Sequence, residues 1–211
     1  QKTKKILKKY KLDVTGHTAW YLPIGSPIKY IRDCSIEETK KYFKVFRELG
    51  TEYVTIHSNW PPSLFSKEEG IKFQIYSLKR LVKLAKKYNL KIMYEPIDKE
   101  QDTLQVSETI LKKVPGLYFH LDIGHANLYG KNIISFIRKF NKKLVHIHLH
   151  DNSGKEDEHK PIGKGNINFN KIIKQLKRVK YNRTITLEVF SKNKNLAVQN
   201  QKKLRKMWEK L

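Results

Sequence analysis

The sequence predicts a parallel β/α barrel, and three observations predict it. Short apolar runs alternate with amphipathic helical stretches from end to end, the runs finish on His, Asp or Glu, and no glycine-rich phosphate loop follows a strand. Such alternation gives parallel strands joined by helices, which either close into a barrel or spread into an open doubly wound sheet. An open sheet gathers its functional residues at one switch point, whereas a barrel carries them at every strand end. The second pattern is the one present.

A lysine-rich helical tail, Lys4 to Lys11, opens the chain. Candidate strands follow at Leu12–His17, Tyr53–His57, Leu90–Glu95, Leu117–Asp122, Leu144–His150 and Thr184–Val189. Helices near 35–49, 68–88, 103–114, 131–141, 168–179 and 195–210 separate them at βαβ spacing. Ser35-Ile-Glu-Glu38 and Ser66-Lys-Glu-Glu69 each set a Glu three residues after a Ser, which predicts two capping boxes. There is no internal repeat, low-complexity tract or linker, so residues 1–211 are expected to form a single domain. An eight-stranded barrel would need two more strands, and these would precede Gln1, which is not a Met. The expectation is a barrel incomplete at its amino end, whose open sheet edges leave room for a homo-oligomer.

Bulk composition narrows the partners. No run approaches the roughly 18 apolar residues of a membrane span, and no signal peptide is apparent, so no membrane association is expected. One cysteine, Cys34, rules out an internal disulfide and fits the reducing cytoplasm. The formal charge of +24 would attract nucleic acid or a phosphorylated substrate. However, the lysines are spread over all the helices and do not form one block with interleaved aromatics. The charge therefore permits an anionic ligand without requiring one. No phosphate clamp stands out, although Arg183 and the loop lysines are available.

Period-two alternation decides which side chains look into a barrel. In Leu144-Val-His-Ile-His-Leu-His150, Val145, Ile147 and Leu149 face the helices, and His146, His148 and His150 point inward. By the same count Asp13, Thr15 and His17 face in, as do Tyr53, Thr55 and His57, then Tyr118, His120 and Asp122, then Thr184, Thr186 and Glu188. Glu95, before Pro96, is inward too. Any one of these alone reads as a satisfied core histidine or a helix-capping carboxylate. Six strand ends together read as a shared divalent cation, which offsets the desolvation of such groups. Two loops add to the set. Asp122-Ile-Gly-His125 bends over the same mouth, and the segment Asp151–Gly165 adds Asp157 and His159, then glycines that turn it back. Trp20 and Trp60 follow strand ends, where an indole either stacks on a sugar face or packs under a loop.

His17-Thr-Ala-Trp-Tyr, Tyr94-Glu-Pro96, Leu121-Asp-Ile-Gly-His-Ala126, His146-Ile-His-Leu-His-Asp-Asn152, Asp157-Glu-His-Lys-Pro-Ile-Gly-Lys-Gly165 and Leu187-Glu188 resemble the xylose isomerase-like TIM-barrel superfamily. That group includes sugar and sugar-phosphate isomerases and epimerases, and the endonuclease IV type of abasic-site nuclease. The resemblance runs from about residue 12 to 190 and implies a (β/α)8 TIM barrel, here lacking its first two strands.

For the epimerase branch the resemblance implies one divalent ion held by Glu95, Asp122, His148 and Glu188. Glu95 and Glu188 would also be the acid/base pair, and His125 would contact a substrate hydroxyl. A carbon acid beside a carbonyl needs a cation to stabilise its enediolate before a carboxylate can deprotonate it. A set of His and carboxylates suits Mn, Co or Zn better than Ca. No organic cofactor is implied.

For the nuclease branch the resemblance implies up to three zinc ions and DNA as partner. The ligands would be His17, His57, Glu95, Asp122, His125, His148, Asp157, His159 and Glu188. The sequence departs from the nuclease at Pro23 and Ile24, at Asp122-Ile-Gly-His125, and at His148-Leu-His-Asp-Asn-Ser153. The epimerase branch, with a sugar or sugar phosphate as substrate, is the expected one.

Overall fold

Branched and aromatic residues at alternate positions fit a pleated, half-buried surface, which is why Tyr53–His57 and Lys91–Glu95 become strands. In the computed structural model, which describes residues 2–98, 100–128, 132–193 and 195–211, the chain groups into two compact units, Gln1–Tyr118 and Phe119–Leu211. The first holds α1 (Lys2–Tyr10), β1 (Gly16–His17), α2 (Lys29–Glu48), β2 (Tyr53–His57), α3 (Lys67–Lys86), β3 (Lys91–Glu95) and α4 (Leu104–Lys113). β1 runs parallel to β2, and β2 to β3, with His17 in register with Thr55 and His57 with Glu95.

The second unit holds β4 (Tyr118–Asp122), α5 (Ile123–Asn127), α6 (Ile133–Phe140), β5 (Leu144–Leu149), α7 (Phe169–Arg178), β6 (Thr184–Leu187) and α8 (Asn195–Lys210). β4, β5 and β6 are parallel in that order, and Asp122 lies in register with His148. Both units are filled by helix faces at 3.6-residue spacing. Leu78, Leu81 and Ala85 of α3 are fully buried in the first, and Ile172, Ile173 and Leu176 of α7 are buried in the second.

The structure corrects four expectations. The strand expected at Leu12–His17 contracts to Gly16–His17, because the Leu12 N–H bonds the Leu7 carbonyl and closes α1 instead. Asp13 and Thr15 are consequently exposed loop residues. The Ser66–Glu69 capping box is present with both bonds made. The one expected at Ser35 is not, since α2 begins six residues earlier and the Ser35 hydroxyl donates to Ile31 O inside it. Finally, Thr184 and Thr186, expected to face a closed interior, are exposed on β6. Among the described residues no helix is long and apolar enough to cross a membrane.

Candidate metal centre

In the first unit, the register of β2 against β3 brings His57 and Glu95 side by side. Glu95 is fully buried, and its Oε2 lies 2.9 Å from His57 Nε2 and 3.6 Å from His17 Nε2. The two imidazoles meet edge to face at 4.6 Å. His17 Nδ1 sits 3.0 Å from the Thr18 carbonyl. A carbonyl only accepts, so Nδ1 carries the proton, and in the neutral ring Nε2 turns its lone pair toward Glu95. One donor atom from each of His17, His57 and Glu95 can be chosen so that all lie within 4.8 Å of one another.

The second unit collects the rest. Asp122 ends β4 and caps α5, its Oδ1 accepting the His125 N–H at 2.8 Å. Its Oδ2 lies 3.7 Å from His148 Nδ1, which is 3.1 Å from Glu188 Oε2. Glu188 follows the last residue of β6, and its N–H still bonds Leu149 O, which keeps it on the strand's line. Nearby, His125 Nε2 and His159 Nε2 approach Asp157 Oδ2 at 3.2 and 3.0 Å, and His150 Nε2 lies 3.6 Å from Oδ1. His159 Nδ1 donates to the Glu188 carbonyl at 2.9 Å. Burial pushes the Asp157 carboxyl up, but the bonds and charges of His125 and His159 outweigh it and hold the group well below the usual carboxylate range. Burial lowers His159, and its bonds to Asp157 and to the Glu188 backbone overcome this and raise it.

Local sequence explains the arrangement. Asp151 is fully buried and accepts four backbone N–H groups, from Asn152 (2.9 Å) and Ile167 (3.2 Å) on Oδ1 and from Gly163 (2.8 Å) and Gly165 (2.9 Å) on Oδ2. These bonds gather the loop that carries Asp157 and His159. A side chain at Gly165 would overlap the Asn152 carbonyl, and one at Gly124 would overlap the His150 ring. His159 itself has φ +44°, a left-handed conformation that costs roughly 1–2 kcal/mol for a residue with a Cβ.

Every site residue read from the sequence falls in one of these two gatherings, within its own unit. Four participants were not named as site residues beforehand. His150 was counted as inward-facing, and alternation alone flagged it. Phe190, 68% exposed, stacks on His159 at 4.0 Å, and His159 stacks on His150 at 4.0 Å. Asp102 and Asp151 were missed because much of what they bind lies far along the chain, Ser58 and Trp60 for Asp102 and Gly163, Gly165 and Ile167 for Asp151. His146 is core-like, its two ring nitrogens meeting the Thr184 and Thr186 hydroxyls at 2.7 and 3.2 Å. Trp60 packs, donating its indole N–H to Asp102, while Trp20 is 65% exposed beside Tyr21.

Residues 1–208 match the family described as the xylose isomerase-like TIM barrel. The chain belongs to this family. Its fold class is therefore the α/β TIM barrel that the alternation predicts, with six parallel strands among the described residues. Within the family it is 30% identical to the uncharacterized protein MJ1311 of Methanocaldococcus jannaschii, over 95% of this chain and 72% of the relative. A crystal structure described as a D-tagatose 3-epimerase-like protein is 28% identical, with a TM-score of 0.89 over 98% of this chain and 80% of that one. The IolI protein, solved with a zinc atom, shares the fold at 20% identity, with a TM-score of 0.78 over 100% of this chain and 82% of its own.

Proposed function

We propose that this chain is a divalent-metal-dependent isomerase or epimerase of a sugar or sugar phosphate, acting by proton transfer next to a carbonyl. One observation carries the reading. Carboxylates gather with imidazoles at the ends of parallel strands, Glu95 with His17 and His57 in one unit, Asp122 and Glu188 with His148 in the other. The 28% identity to a D-tagatose 3-epimerase-like protein over nearly the whole chain supports it.

In this proposal Glu95, Asp122, His148 and Glu188 hold one ion. The donors fit such a group, since Glu95 and Asp122 are buried beside imidazoles and a cation relieves their desolvation. Their mixture of nitrogen and carboxylate oxygen suits Mn, Co or Zn. Such an ion would supply Lewis-acid stabilisation of negative charge developing on a carbonyl oxygen. Glu188, with its side chain 28% exposed, is open to substrate and removes the proton from the adjacent carbon. Glu95 would return the proton, and His125 would steady a hydroxyl.

A second reading, zinc-dependent cleavage of DNA at abasic sites, is favoured by one specific observation. His125, Asp157 and His159, together with His150, offer donor atoms all within 4.8 Å, a set additional to the residues assigned to the single ion. Two measurements decide. Elemental analysis of the purified protein is expected to give one divalent ion per chain, and a clear three would sink the epimerase reading. Ketoses or ketose phosphates incubated in deuterated water are expected to take up label beside the carbonyl, and Glu188→Gln to abolish it. Absence of label across a broad panel, with nicking of abasic duplex DNA, would establish the nuclease instead.

A further inference from the structure

Asp102 is fully buried in the loop between β3 and α4, next to the α4 N-cap Thr103. Among the described residues its carboxylate gathers five donors from three stretches of chain. Oδ2 accepts from the Ser58 hydroxyl (2.5 Å), Ile97 N–H (2.9 Å) and Asp98 N–H (2.7 Å), and Oδ1 from the Trp60 indole (3.0 Å) and the Tyr94 hydroxyl (3.0 Å). These donors bracket two site residues. Ser58 follows His57, Tyr94 precedes Glu95, and Ile97 comes just past Glu95-Pro96. The Ser58 N–H bonds the Glu95 carbonyl at 2.8 Å, and beyond that bond the segments following β2 and β3 run into separate loops.

We propose that Asp102 is a positioning residue, a buried anchor that locks the ends of β2 and β3 together and so fixes His57 and Glu95 in mutual register. An ionised carboxylate is the group such a place requires. It only accepts, at both oxygens, and its hydrogen bonds are charge-assisted. Ser58 extends the anchor across the gap, because its hydroxyl donates to Asp102 while accepting the Ile97 N–H at 3.0 Å. Asparagine has the same shape but turns an NH2 toward some of these donors, leaving them opposed in a buried space. Burial, and then the adjacent Asp102 charge, push the Tyr94 hydroxyl well above its ordinary range, so it remains a donor. The functional consequence rests on the metal reading above, and the geometric one does not. Partners behind metal ligands typically govern about 10–100-fold of metal affinity.

The test compares wild type with Asp102→Asn by amide hydrogen exchange and by titration of the metal-free protein with Co²⁺. In the variant the segments 57–60 and 94–98 are expected to lose protection together while Val54 and Ile92 keep theirs. Co²⁺ affinity is expected to fall about 10–100-fold with an altered visible spectrum, at unchanged far-ultraviolet circular dichroism. Protection retained at 57–60 overturns the proposal, and so does a Co²⁺ affinity and spectrum equal to wild type. If Asp102→Asn does not fold, Ser58→Ala and Trp60→Phe, each deleting one donor, take its place with the same two readings. A wild-type protein that binds no Co²⁺ defeats the metal reading alone, and the exchange data then decide the anchor by themselves.

Discussion

At residue scale, the loop carrying Asp157 and His159 is held by individual charges. Glu158 accepts the Ser153 N–H at 2.7 Å and pairs with Lys160. The Lys160 bond, then the Ser153 bonds, lower its carboxyl from 4.5 to about 2. A carboxylate depressed in the folded state contributes stability that is fully present above its unfolded value. That contribution is lost as pH falls through the folded value, where the unfolded chain binds the extra proton. The stability difference between wild type and Glu158→Gln, from urea unfolding, should therefore be constant above about pH 5 and shrink toward pH 2. A difference that grows on acidification contradicts the assignment. Residue patterns also show what was legible. His17, His57, Glu95, Asp122, His148 and Glu188 could be read because alternation is a local property. Asp102 could not, because Ser58 and Trp60, which it binds, lie 44 and 42 residues away.

At the scale of elements, existence was easier to read than extent. The α3 helix announced itself through Ser66 and Glu69 because a capping box is contained in four consecutive residues. The same pattern at Ser35 misled, since Arg32, Ser35, Ile36 and Thr39 together form the buried side of a longer α2 that starts at Lys29. Burial, not capping, sets that helix. The α3 face is the clearest energetic case, with Leu81 fully buried. Leu81→Ala should cost about 2–5 kcal/mol, while Leu64→Ala, at a position 88% exposed, should change stability by under about 0.5 kcal/mol. Denaturant midpoints for the two variants measure this directly, and equal values would show that α3 is not seated as described.

At the scale of the whole molecule, fold and proposed chemistry are coupled through ligand binding. Strand-end carboxylates beside imidazoles destabilise the apoprotein by their desolvation, and an ion that binds only the folded chain reverses this. At a concentration a hundred times its Kd such an ion adds about 2.7 kcal/mol, or roughly 5–11 °C in Tm for a chain of this length. Thermal unfolding in chelator, then with Mn²⁺, Co²⁺ or Zn²⁺ restored, should show a shift of that order. An unchanged Tm with all three ions would count against the metal reading. The net charge of +24 adds a separate expectation, that acidic polymers are retained at low salt whatever the activity.

The way Asp151 ties down its loop bears on how such a molecule can change over time. Because one carboxylate secures Asn152, Gly163, Gly165 and Ile167, the stretch between the ties is free to lengthen or vary at exposed Lys155 and Glu156. Doubling such a loop costs only about 0.6 kcal/mol. Length and sequence can therefore change at the tip of this loop without disturbing the strands beneath it.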